Sequence, residues 1–85
     1  MKEATFKLYG SEYILRTGTA ICCAELGDES RRQEVVIVEN DFHGEKFVNV
    51  VFGWPMPKSL DEFRAMAEDS SAWESDQEVL ETIRD

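Results

Sequence analysis

Residues 34–52 read Glu34-Val35-Val36-Ile37-Val38-Glu39-Asn40-Asp41-Phe42-His43-Gly44-Glu45-Lys46-Phe47-Val48-Asn49-Val50-Val51-Phe52, and they decide the fold class. Val35 to Val38 is a β-branched run bounded by charge. Its unbroken apolar centre predicts a central strand covered on both faces, or covered on one face and lightly shielded on the other. Lys46 to Phe52 carries the strongest strand pattern in the chain. Asn40 to Gly44 between them is rich in turn formers, so the two strands read as an antiparallel hairpin.

Towards the N-terminus the same logic continues. Thr5-Phe6-Lys7-Leu8-Tyr9 alternates apolar and polar, and Glu12 to Arg16 supplies a second strand-like run. Gly10-Ser11 between them suits a two-residue type II′ turn, in which the first central position takes a positive φ. Thr17 to Leu26 admits two structures. Thr17-Gly18-Thr19 is a turn feeding a third strand, Ala20 to Glu25, or Thr19 caps a short helix that ends at Gly27. The strand is preferred, because Ile and Cys are weak helix formers and antiparallel hairpins chain readily. Gly27 to Gln33 is a polar surface loop.

Towards the C-terminus, Pro55 and Pro57 end the sheet region, since neither can donate to a ladder. Ser59 and Glu62 have the spacing of a reciprocal capping box, and Leu60, Phe63, Met66 and Ala67 follow at helical spacing. After a break at Asp69-Ser70-Ser71, a second helix is expected from Ser71 or Ser75 to about Arg84, with Trp73, Val79, Leu80 and Ile83 as its apolar line. The predicted architecture is a single α+β domain over residues 1–85. A meander-like antiparallel sheet of four to five strands is followed by two C-terminal helices packed on one face, leaving the other partly solvated or open to a partner.

Composition narrows the function. Residues 59–85 hold nine acids against two bases, net −7, within a chain of net charge −9. Such a charge repels a polyanion at long range, which argues against direct nucleic-acid binding. No stretch reaches the ~18 apolar residues of a membrane span, and the start of the chain lacks the apolar core of a secretory signal, so a cytoplasmic location and no membrane contact are expected. Cys22 and Cys23 are adjacent, which disfavours a bridge between them; they read as reduced thiols.

Catalytic chemistry finds little footing. His43 is the single histidine, and Glu39, Asp41, His43 and Glu45 recur at every second position, a spacing that an extended backbone would gather on one side as a hard-metal site. His43-Gly44-Glu45 matches the His-x-Glu element of zinc deaminases, but the Pro-Cys-x-x-Cys half is missing. A solvated hairpin tip is the preferred reading. The chain has no phosphate-binding glycine loop, dinucleotide fingerprint or nucleophile elbow. No catalytic residue, metal ligand or cofactor is therefore assigned, and the expectation is a protein that is not an enzyme.

The acids of the predicted second helix are the better foothold. Glu74, Glu78, Glu81 and Asp85 follow spacings of four, three and four, one stripe of a helix whose like charges oppose helix formation by roughly 0.2–0.5 kcal/mol per pair. A basic partner surface would relieve that repulsion. Trp54 and Met56, in the rigid Trp54-Pro55-Met56-Pro57 segment, are candidate apolar anchors beside it, or else they close the core at the sheet-to-helix crossing. The expected function is a non-catalytic protein-binding module that occupies a basic surface, in its sharper form the nucleic-acid-binding surface of a partner protein, with carboxylates standing where phosphates would. In charge and size, though in no motif, the chain resembles the small acidic inhibitors that phages direct at restriction and CRISPR machinery. The alternatives are a homodimerising domain that pairs through an edge such as Thr5–Tyr9 and a metal-assisted enzyme at Asp41, His43 and Glu45.

Overall fold

Two tight turns set the register of the sheet. In the computed structural model, which describes residues 3–85, Tyr9 and Gly10 have φ of 51° and 80°, and His43 and Gly44 have φ of 52° and 79°. Positive φ at both central residues defines a type I′ turn, whose twist matches that of the strands it joins. The first turn therefore uses Tyr9-Gly10 rather than Gly10-Ser11 as type II′. It joins β1 (Glu3–Leu8) to β2 (Ser11–Ala20), and the second joins β3 (Gln33–Phe42) to β4 (Glu45–Phe52). With a two-residue β5 (Trp73–Glu74), the strands form one antiparallel meander in the order β1-β2-β3-β4-β5. The α+β class and the sheet are as the sequence predicts.

The separate strand expected at Ala20–Glu25 does not exist. Thr17-Gly18-Thr19 continues β2 through ten residues, paired with β3 from Tyr13↔Asn40 to Ala20↔Gln33. Beyond it, Cys23–Glu25 and Glu29–Arg31 form short 3₁₀ turns that return the chain to β3. β3 has the length and register to absorb the extra residues, so the Thr-Gly-Thr turn signal is overridden by pairing.

The sheet is covered on both faces, by different elements. α1 (Leu60–Glu68) lies on what we call the main face. There Phe63 and Met66 are fully buried against Leu8, Leu15, Val36, Val38 and Val51, with Phe6 stacked on Phe63 at 5.2 Å between ring centroids. Its start is the expected one: Ser59 accepts from the Glu62 amide at 3.1 Å, while Glu62 Oε1 reaches back to the Lys58 amide at 2.9 Å, one residue before the cap. The chain then turns around the β4 edge. Trp73 pairs with Val51 and packs on the main core, its indole N–H donating to the Met66 carbonyl at 2.7 Å; Glu74 pairs with Val50 and points to the reverse face.

On that reverse face lies α2 (Gln77–Leu80), a single turn capped by Asp76, followed by a tighter turn through Glu81 and Thr82 and a bridging residue, Arg84. Leu80 and Ile83 cover Ala20, Val35, Ile37 and Val50. The segment ends beside β2, where Thr19 and Arg84 exchange backbone hydrogen bonds of 2.8 and 2.9 Å. This corrects the expectation of two helices on one face, and of a second helix reaching Arg84. The reason is reach. Crossing from the β5 position to the β1 position takes four strand spacings, about 19 Å, whereas a continuous helix from Glu74 to Arg84 would span about 15 Å. The apolar residues of the crossing instead act as a strap that seals the reverse side of β3. This is why Val35 and Ile37 are as buried as Val36 and Val38.

Candidate partner-binding surfaces

Losing the long helix breaks the predicted acidic stripe into pieces. Glu74 is half-buried on β5, Glu78 is exposed on α2, Glu81 is exposed at the end of that turn, and Asp85 lies beyond the Thr19–Arg84 bridge. Asp85 is also engaged. Its Oδ2 accepts from Arg16 Nε at 2.7 Å, and the same guanidinium meets Glu39 Oε1 at 3.1 Å. Burial alone would lower the Arg16 pKa, but the hydrogen bonds to Asp85 and Glu39 outweigh it and hold that pKa raised. Asp85 therefore ties the terminus to the sheet.

Asp76, Glu74 and Glu78 act together on Cys23, a residue whose sequence context carries no functional signal. Cys23 is exposed, and its thiol pKa is raised by partial desolvation first, and then by the charges of Asp76, Glu74 and Glu78. Such a setting disfavours the thiolate and so disfavours nucleophilic chemistry. The carboxylates of β5 and of the start of α2 thus share one corner of the molecule with the 3₁₀ turn that carries Cys23. Among the described residues, no Lys or Arg forms an ion pair within 4.0 Å with the carboxylates of Glu74, Asp76, Glu78 or Glu81; Arg84 reaches Glu81 only at its backbone carbonyl, at 3.4 Å. Asp76 was not singled out from sequence, although an Asp directly before a helical turn is an N-cap signal, and its side chain does accept from the Glu78 amide at 2.9 Å.

Trp54 and Met56 are half-buried against the main core and so close it at the crossing from sheet to helix. Their outer surfaces, with Thr17, Thr19, Glu34 and Asp85, line a groove of about 750 Å³ between the Trp54–Met56 segment and the end of the strap. Of the six predicted contact residues, the structure brings Trp54, Met56 and Asp85 to this groove. Glu74 and Glu78 stand at the Cys23 corner, and Glu81 stands apart from both.

The residues of the proposed metal loop do not converge. The turn at His43-Gly44 reverses the chain, so Asp41 pairs with Lys46 on one face of the hairpin while Glu45 pairs with Phe42 on the other. The His43 ring packs edge-on against Phe42 at 4.2 Å. Among the described residues, no three His, Cys, Asp or Glu side chains are placed to share a metal ion. Likewise, no helix among them is long and apolar enough to cross a membrane.

Three positions missed in the sequence hold the strap down. Arg32 grips Glu29 through two bonds of 3.0 and 2.9 Å and donates to the Thr82 carbonyl at 2.6 Å. Thr82 Oγ1 accepts from the Ile21 amide at 2.9 Å and donates to the Val79 carbonyl at 2.6 Å. Gly18 lets the Arg84 carbonyl approach the sheet. Only Gly18 had a readable signal, because a glycine inside a strand pattern marks close backbone approach. No protein-family model, curated protein or solved structure matches the chain.

Proposed function

We propose that the protein is a small acidic, non-catalytic binding module that docks its strap-bearing corner on a basic surface of a partner protein. The observation that carries this reading is electrostatic. In a chain of net charge −9, the charges of Asp76, Glu74 and Glu78 add to the desolvation that raises the pKa of the Cys23 thiol, and these acids have no ion-pair partner among the described residues. Clustered carboxylates repel one another, and a cationic surface is what relieves them. A nucleic-acid-binding channel is the sharpest form of such a surface, because its Lys and Arg side chains are spaced for phosphates that carboxylates can replace.

The experiment is affinity capture at low salt, eluted by a salt step, with wild type beside a Glu74→Gln, Asp76→Asn, Glu78→Gln variant, in which Asn keeps the helix cap. Attraction between exposed charges is screened over about 8–10 Å at physiological ionic strength. The wild type should therefore retain partners that the salt step releases, and the triple variant should lose them. Capture that is equal for both proteins, or indifferent to salt, would remove the acidic corner from the reading.

A further inference from the structure

β1 is the outermost strand of the meander at the end opposite β5, and the hydrogen-bond phase of its free side can be worked out. The type I′ turn closes on Leu8 and Ser11, the pair that carries the turn's own backbone bond. Antiparallel pairs alternate, so Leu8, Phe6 and Ala4 spend their N–H and C=O groups on β2. An independent check comes from the far end of β2. By the same alternation Thr19 must face the β1 side, and both its backbone groups do go to Arg84 there, at 2.8 and 2.9 Å. The outward-facing backbone groups of β1 therefore belong to Glu3, Thr5 and Lys7, whose side chains are all exposed.

These three residues are complementary to themselves. We propose that β1 is a homotypic edge, to which a second copy of this chain adds antiparallel about a two-fold axis through Thr5. That axis sets Glu3 opposite the second copy's Lys7, Thr5 opposite its Thr5, and Lys7 opposite its Glu3. Every outward N–H and C=O then finds a partner, giving about six new backbone hydrogen bonds across the seam. A shift of two residues in either direction leaves outward groups unpaired and separates Glu3 from Lys7. The neighbouring strand extends the match: Arg16 lies opposite Glu3 within the chain and Glu12 opposite Lys7. The row across the seam thus reads Arg16, Glu3, then Lys7 and Glu12 of the second copy, alternating in sign throughout, with opposite charges facing as in a stabilising cross-strand pair. The middle row is Ile14, Thr5, Thr5, Ile14, and Ile14 is 38% exposed in the single chain. Glu3, Lys7, Glu12 and Arg16 sum to zero charge, so this is an edge where two strongly acidic molecules can meet without adding acid to acid. β4 offers no equivalent length, because β5 already occupies it at Val50 and Val51.

Sedimentation velocity on the full chain, from about 10 μM to about 1 mM, tests the seam over the range expected of a short edge contact. The wild type should move from monomer to dimer. Thr5→Pro should stay monomeric with an unchanged circular dichroism spectrum, since the amide it removes points away from β2 and proline is tolerated at such edge positions. Glu3→Lys and Lys7→Glu should each weaken self-association roughly tenfold by setting like charges opposite one another. Mixing those two variants should restore association as a heterodimer, because every seam position then faces the opposite sign. A wild type that stays monomeric throughout, a dimer that survives Thr5→Pro, or a mixture that associates no better than its components would each overturn the proposal. The mixing arm reads the seam even if the proline variant fails to fold.

Discussion

Gly18→Ala is the sharpest single test of the strap. A Cβ at Gly18 would lie 2.7 Å from Ile37 Cδ1 and 2.8 Å from the Arg84 carbonyl oxygen. The isoleucine methyl can rotate away at modest cost. The carbonyl cannot retreat without giving up the Thr19–Arg84 bridge, whose two bonds contribute about 1 kcal/mol each. Overpacking a filled site costs about 1–3 kcal/mol, and detachment of the terminal residues caps the strain at about the value of the bonds they lose. The expected destabilisation is therefore about 2 kcal/mol, which in a domain of this size lowers Tm by roughly 10 °C. Thermal and urea unfolding give the total, and hydrogen exchange locates it: the Thr19 amide should lose protection while Ile37 in the central strand keeps its own. Adding Ile37→Val removes one of the two crowded atoms. On the wild-type background that change costs about 1 kcal/mol, and on the Gly18→Ala background it should cost measurably less. A Gly18→Ala protein with Tm within about 2 °C of wild type and a protected Thr19 amide would refute the close approach and, with it, the strap.

Three further outcomes follow from the same anchors. Thr82→Val should cost about 1–3 kcal/mol in urea unfolding, because it strands the Ile21 amide in a site where Ile21 is 2% exposed; a loss under about 0.5 kcal/mol would mean that the amide finds another partner. Glu29 should titrate below an ordinary glutamate, because the Arg32 guanidinium hydrogen-bonded to it lowers its pKa. With the folded pKa depressed, its contribution to stability is fully present above the unfolded value of about 4.3 and is lost as pH falls through the folded one; an NMR midpoint at or above the ordinary value, or one unmoved by Arg32→Gln, would contradict the pairing. Cys23 should alkylate with iodoacetamide more slowly at pH 8 than a free cysteine, and faster after Glu74→Gln with Glu78→Gln, since burial and those carboxylates raise its pKa; equal rates in both proteins would show that the acids do not converge there.

How much of this was legible in the sequence depends on the range over which each signal acts. The hairpin strands, the Ser59–Glu62 helix start and the core residues Phe63 and Met66 were readable, because alternation, capping and helical spacing are local. Val35 to Val38 admitted a strand covered on both faces, beside the alternative of a second face only lightly shielded. What covers the second face was not readable. Trp73 and Val79 fit one helical line with Leu80 and Ile83, yet Trp73 packs on the main face and Leu80 and Ile83 on the reverse. A rule that uses only spacing cannot tell a helix from a chain that changes sides around a sheet edge. The turn at Thr17–Thr19 misled for a related reason, since a glycine that signals a turn locally here signals a neighbour that arrives from Arg84, far along the chain.

The candidate surface inherits this change of geometry. On an isolated helix the acids would have been held in register by the helix itself. Here Glu78 and Glu81 alternate with Val79, Leu80 and Ile83, so their positions depend on the apolar side chains that press the strap onto the sheet and on the few bonds that end it. Partner docking and strap attachment are then linked. A ligand that binds the acids only in the attached arrangement stabilises that arrangement by mass action, and a variant that frees the end of the strap scatters the acids and pays their ordering again on binding. Gly18→Ala, which touches no acid, should therefore weaken capture of a basic partner while leaving the chain's net charge unchanged. A surface that worked through net charge alone would bind the Gly18→Ala protein as well as the wild type.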